Sequence, residues 1–277
     1  MKNELKTYKI IIPYTESASP SKKFRIEYII EAENRNEASK NAEIQFNAYA
    51  GNTSASWIRI ADPSGTRIWR IFPGDPETSD FIDEIIDKLP CKTDEETIKC
   101  LERLGQLEDS AASSRIIALT KTDNPRIVAA AIKALGSIGD PTSFFAVKNA
   151  YERKGNAPEV KHAIVDNLIK LALPEDDIIE FYRKAIRDSI TRKSVFMLGN
   201  SDLLPLYAAE ISNEEEFKIV RAITVNLGEK ALAVLTTMKT DHPDVFSNAQ
   251  KLVEALKPMA LENHWTDWLA ASQKYRL

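Results

Sequence analysis

Leu104, Leu135, Leu168, Leu198, Leu227 and Leu256 recur at steps of 31, 33, 30, 29 and 29 residues, and four of them are followed by Gly105, Gly136, Gly199 and Gly228. A period near thirty residues constrains the fold of this chain more tightly than any composition figure, because it marks one supersecondary unit used repeatedly. A unit that size cannot bury its apolar face alone and completes its core only on its neighbours. The expected architecture is mainly α: an α-solenoid of five or six helical hairpins, closed at its C-terminal end by a capping helix.

The chain changes character at Pro73-Gly74-Asp75-Pro76. Two prolines and a glycine in four residues continue neither a strand ladder nor a helix interior, so residues 1–76 and 77–277 are expected to be separate domains. The first carries a formal charge of +2 and the second −6. Residues 8–14 and 24–30 are rich in β-branched and aromatic side chains and predict two strands joined by a long polar loop over residues 15–23. Asn34 with Glu37 three residues on predicts an N-cap and capping box, opening a helix that Gly51-Asn52 ends. Residues 56–60 and 66–71 predict two further strands flanking Asp62-Pro63-Ser64-Gly65, a β-turn signal. The layout is ββαββ, a small α+β domain with its antiparallel sheet covered by one helix.

Beyond the joint the clearest unit runs Asn124-Pro125-Arg126-Ile127-Val128-Ala129-Ala130-Ala131-Ile132-Lys133-Ala134-Leu135-Gly136-Ser137-Ile138-Gly139-Asp140-Pro141. Pro125 sits where a first-turn proline is tolerated, and the glycines thin the helix so that another element can approach. A shift of 33 residues places Pro158, Val160, Ala163, Leu168 and Leu171 on Pro125, Ile127, Ala130, Leu135 and Ile138, all on one helical face. This unit resembles the second helix of a HEAT-like repeat of the short phycobilisome-lyase type, whose pattern runs Pro-x-Val-Arg, then Ala, then Ala-Leu-Gly-x-Ile-Gly-Asp-Pro. Val128 stands where that family prefers Arg. The repeats around Leu198 and Leu256 match by spacing more than by residue type, and the resemblance does not extend to residues 1–76.

Two sets of side chains are candidates for partner binding. The first is a Trp/Arg hairpin of Trp57, Arg59, Arg67, Trp69 and Arg70. Strand alternation puts Trp57 and Arg59 on one face and Ile58 and Ile60 on the other. With the isoleucines under the helix, tryptophan and arginine face outward, the residue types enriched at interface hot spots. The competing reading packs Trp57 and Trp69 against each other or on the first repeat. The second set is Lys133, Ser137, Asp166 and Lys170, the outward positions of second helices, which the resemblance places on the inner surface of the array; as plain sequence they also read as a solvated flank. Trp265 and Trp268, spaced i, i+3, are expected on the capping helix.

Catalytic signatures are absent from the sequence. His162, His242 and His264 fall in different units with no His-Glu pairing, which excludes the dipeptides of HEAT-type di-iron hydroxylases, and there is no P-loop, Gly-x-Gly-x-x-Gly or Gly-x-Ser-x-Gly. Glu214-Glu215-Glu216 and Asp176-Asp177 sit at expected helix starts, where acids meet the helix dipole favourably. Cys91 and Cys100, nine apart, fit neither a metal pair nor a disulfide framework and read as reduced thiols. No apolar run reaches the roughly 18 residues of a membrane span, and the charged first residues lack a signal-peptide core. A net charge of −4 argues against nucleic acid. The expectation is a cytoplasmic, non-enzymatic adaptor or scaffold that holds another protein and uses no metal or cofactor. The resemblance implies two alternatives: a phycobilin lyase-like subunit acting on phycobiliproteins, or a nucleic-acid-binding relative of the HEAT-like DNA glycosylases.

Overall fold

A computed structural model describes residues 5–51, 57–76, 78–153, 157–171, 175–240 and 242–277, with backbone alone at 175 and 176. Asn52 and Ser56, expected at the end of the first helix and the start of the third strand, lie outside the described residues, as does the side chain of Asp176. The chain forms two compact units, Met1–Ala172 and Leu173–Leu277.

The first unit opens with β1 (Lys6–Glu16) and β2 (Ser19–Ala32), paired antiparallel from Lys6↔Ala32 to Glu16↔Ser19. The expected long loop is a tight turn instead: the polar residues after Thr15 extend the ladder, where alternate exposure suits them. Helix α1 (Arg35–Gly51) starts at the predicted N-cap Asn34, while the Glu37 carboxylate reaches the residue before it rather than closing a capping box. Asn34 Oδ1 accepts from Glu37 N at 3.0 Å, and Glu37 Oε2 accepts from Glu33 N at 2.8 Å. Tyr8, Ile10, Ile12 and Tyr14 of β1 alternate onto one face and form a core with Ile30, Ala38, Ala42, Phe46 and Ile68.

The last two strands differ most from expectation. β3 (Arg59–Ala61) and β4 (Arg67–Arg70) do not pair as a hairpin; both run antiparallel to β1, end to end along the same side, β3 on Tyr14–Glu16 and β4 on Tyr8–Ile11. Between them Asp62-Pro63-Ser64-Gly65 makes a 3-10 turn, with Asp62 Oδ1 accepting from Ser64 N at 3.1 Å, that steps the chain forward rather than reversing it. The Asp-Pro-Ser-Gly signal specified a tight turn without specifying its exit direction.

The same unit continues through α2 (Asp80–Asp87), α3 (Asp94–Leu107), α4 (Ser113–Leu119), α5 (Pro125–Ile138), α6 (Phe144–Tyr151) and α7 (Pro158–Leu168). These pair as helical hairpins in which α3, α5 and α7 stack side by side. The repeat glycines make that stacking close. A Cβ on Gly105 would lie 3.0 Å from Ala134 Cα, and one on Gly136 would lie 2.5 Å from Asn167 Cβ. Asn124 Oδ1 caps α5 through Arg126 N at 2.9 Å, and Gly139 ends it at φ +69.

The second unit holds α8 (Glu175–Ala185), α9 (Arg192–Met197), α10 (Leu204–Glu210), α11 (Glu214–Leu227), α12 (Glu229–Thr237), α13 (Pro243–Glu262) and α14 (Trp268–Tyr275). Here α11 packs on α9 and α13 in one layer, and α12 on α10 and α14 in the other. The three leucines that resemble the family pattern most, Leu104, Leu135 and Leu168, are fully buried, as is Leu256, whereas Leu198 and Leu227 are half-exposed at helix ends beside Gly199 and Gly228. The period thus marks the last turns of α3, α5, α7 and α11 and the end of α9, falls inside α13 at Leu256, and marks the core only in part. The two C-terminal tryptophans are not on one helix: Trp265 sits in the turn after α13, 3.5 Å from where a Cβ on Gly228 would be, and Trp268 begins α14. Tyr275 and Ala271 are the buried side chains of that helix, and Tyr275 Oη donates to Leu235 O at 2.6 Å.

Candidate functional site

The stacking of α3, α5 and α7 leaves a groove whose floor is made of small residues. Gly105, Ala129, Ala130 and Ala134 form it, Ile98, Glu102 and Gln106 of α3 rise on one side, and Arg126, Lys133, Ser137 and Glu159 on the other. Lys6, Arg70 and Glu108 close one end, and the whole encloses about 630 Å³. The small residues that let the helices approach are the ones that bring the floor down, so groove and packing have one cause. Lys133 and Ser137 are exposed on its wall, and Lys133 Nζ makes no hydrogen bond or ion pair among the described residues. Arg126 reaches Glu95 at 2.8 Å with both side chains largely exposed, a pair that solvent screens.

The closed end is built by contacts between the sheet and the first hairpin. Glu108 stands in the left-handed conformation at φ 56, the place Gly139 takes one repeat later. A non-glycine residue there is uncommon. Its carboxylate is buried and accepts from Tyr8 Oη at 2.8 Å and Lys6 Nζ at 2.7 Å. Burial and that carboxylate push the Tyr8 phenol well above its ordinary value, so it stays the donor. Next to it Asp109 accepts from Arg67 Nε at 2.6 Å while Arg67 gives a bidentate fork to Asp83 at 2.8 Å on both arms. Arg35 at the start of α1 donates to Ser110 Oγ at 2.8 Å. The Pro73–Pro76 turn is held to α3 by the Asp75–Arg103 ion pair. Sequence reading missed Lys6, Tyr8, Glu108 and Asp109. The signal was in the repeat register: a 31-residue shift sets Glu108-Asp109 on Gly139-Asp140, and a glutamate in a glycine position needs a reason.

The sequence candidates separate accordingly. Arg70, Lys133 and Ser137 meet in the groove. Asp166 and Lys170 are exposed on α7 and the 3-10 turn after it, with Lys170 Nζ donating to Asn167 Oδ1 at 2.9 Å, and they do not line it. The Trp/Arg hairpin is dispersed. Trp69 is 1% exposed and Arg67 is engaged by two aspartates, because Lys9↔Trp69 and Ile11↔Arg67 lie on the sheet face opposite α1 and β4 packs there on α3 and residues 110–112. Arg59 turns toward α1, stacks 3.9 Å over the Tyr49 ring and donates to Tyr49 O and Glu16 Oε1. Trp57 is 41% exposed beside it. Ile58 and Ile60, expected beneath the helix, are the exposed residues. The strand alternates as expected but with its faces inverted: Ile60 pairs with Thr15, on the side away from the Tyr14 core.

Among the described residues no group of three or more His, Cys, Asp and Glu is placed to hold a metal ion, and no helix is long and apolar enough to cross a membrane.

Residues 79–169 match the family model of HEAT repeats. That span contains α3 and α5, the pair that carries the groove floor, and ends just after α7. No curated protein matches the chain's sequence. Solved structures similar to it include a chain of the CpcE–CpcF complex of phycocyanin lyase from Nostoc, at 14% identity and a TM-score of 0.39, covering 72% of this chain and 82% of that one. Human deoxyhypusine hydroxylase is similar at 17% identity and a TM-score of 0.31, over 70% and 82% of the two chains. A designed armadillo repeat protein in complex with a (KR)4 peptide is similar at 14% identity and 0.34, over 70% and 99%.

Proposed function

We propose that this chain is a non-enzymatic, cytoplasmic adaptor that holds another protein in the α3–α5–α7 groove, with Lys133, Ser137 and Arg70 as contacts, and Asp166, Lys170 and Trp57 at the periphery. The observation that carries the reading is the small-residue floor between exposed polar walls. A floor of glycine and alanine lets a partner's backbone or helix approach closely, and the rigid stacked helices beneath need little ordering on association. The walls carry both signs of charge, Arg126, Lys133 and Arg70 against Glu102 and Glu159, which suits a partner segment with charges of both kinds and supplies orientation more than raw affinity.

The test is affinity capture with the intact chain followed by titration against the captured partner. Lys133→Glu combined with Ser137→Arg, a net change of one negative charge, is expected to weaken binding at least about tenfold, on the order of 1.4 kcal/mol, while Lys99→Gln, an equal net charge change at a position that does not line the groove, leaves it unchanged. Unaltered affinity in the double variant, with helical content intact by circular dichroism, contradicts the proposal.

A further inference from the structure

The two cysteines are the only thiols in the chain, and the fold brings them together. Cys91 lies in the segment entering α3, Cys100 lies on that helix, and Cys91 Sγ is 3.4 Å from Cys100 Sγ. The approach is fixed by the start of the helix. Cys91 N donates to Thr97 Oγ1 at 3.0 Å, Thr97 Oγ1 donates to Thr93 O at 3.0 Å, and Thr93 Oγ1 accepts from Glu96 N at 3.2 Å. Both cysteines are half-buried, within reach of a small reagent.

We propose that Cys91 and Cys100 form an oxidisable dithiol that closes to an intramolecular disulfide at the first helical hairpin. The sulfurs need to approach by about 1.4 Å to reach bonding distance. The oxidant is a small disulfide such as oxidised glutathione. Cys91 thiolate attacks one sulfur of the reagent, forming a mixed disulfide and expelling one thiolate, which takes up the proton Cys91 released. Cys100 then attacks Cys91 Sγ, breaking the mixed disulfide, expelling the second thiolate and passing its own proton to it through solvent. Two protein thiols lose two hydrogens, and one reagent disulfide becomes two thiols. Burial, followed by the hydrogen bond with Cys91, pushes the Cys100 thiol up to about 11, which keeps it from attacking outside reagents and sets the order.

The test is incubation of the full chain with oxidised glutathione, then alkylation under denaturing conditions and mass spectrometry. The expected product is a monomer lighter by two hydrogens, bearing no alkyl group and no glutathione, linked between Cys91 and Cys100, and formed at a rate independent of protein concentration. Cys100→Ser is expected to retain one glutathione on Cys91, and Cys91→Ser to react at least about tenfold more slowly. Glutathione left on the wild-type chain, two alkylatable thiols after oxidation, or a link between two chains would each overturn the proposal. The wild-type dilution series decides even if a variant fails to fold.

Discussion

Gly136 occupies the interior of α5, where alanine would ordinarily be the better helix former by about 1 kcal/mol. Here the added methyl would meet Asn167, whose amide is held by Ala163 O and Lys170, at 2.5 Å. Gly136→Ala is therefore expected to destabilise by about 1–3 kcal/mol despite its propensity gain, read as a lower urea midpoint. Gly51→Ala, with nothing within 4 Å, is expected to leave the midpoint in place. Arg67 gives the opposite kind of residue-scale effect. Its loss strands Asp109, whose side chain is 1% exposed, so Arg67→Ala is expected to cost about 3 kcal/mol. Arg67→Lys restores a charge without the fork and should recover only part of it. In the second unit, burial works against the Glu216 carboxylate, but hydrogen bonds from Arg192 and Ser212, with the Arg192 charge, bring it down to about 2 from an ordinary 4.5. A depressed folded value means the stabilisation is complete above pH 4.5 and is lost as pH falls toward 2, about 3 kcal/mol in all. Glu216→Gln is expected to remove that acid-limb dependence, measured as the midpoint against pH, and to lower stability at neutral pH.

At the scale of the element, the sequence was legible wherever one local rule decided the outcome. The Asn34 N-cap, the proline start and glycine stop of α5, and the Leu-Gly spacing of α3 and α5 each have one solution at the chain level, and each appears in place. The strands were less legible because alternation gives two faces without saying what covers them. Trp69 and Arg67 read as surface residues only while the first hairpin was left out of account; once it packs on β4, the same alternation buries one and pairs the other. The 3-10 turn at Asp62 failed for a related reason, since turn chemistry fixes a tight bend and tertiary pairing with β1 fixes its direction. Of the groove lining, Arg70, Lys133 and Ser137 were named from the sequence, Arg70 as part of a hairpin that does not form and the other two through the resemblance to repeat arrays. The register marks Glu108 as a glutamate in a glycine position, but not its partner Lys6, which comes from an element about a hundred residues away and meets it only when the sheet packs on the repeat.

At the scale of the molecule, the change of character at Pro73–Pro76 is not a gap in the packing: the sheet and α2–α7 share one compact unit. Removing residues 1–76 deletes every partner of Asp109 beyond its own turn and both donors to Glu108, so a chain of residues 77–277 is expected to melt several degrees lower than the full chain, with hydrogen exchange raised first in α2 and α3. An unchanged melting temperature would show the two parts to be energetically separate. The groove on α3, α5 and α7 is the claim on which the functional account rests, and it is tested most directly by a photo-crosslinking side chain placed at position 137, on the groove wall, and at position 114, exposed on α4. The account predicts that position 137 captures a specific protein partner whose binding the Lys133→Glu, Ser137→Arg chain has lost, and that position 114 does not; capture of that partner from position 114 alone, or equally from both, would contradict it.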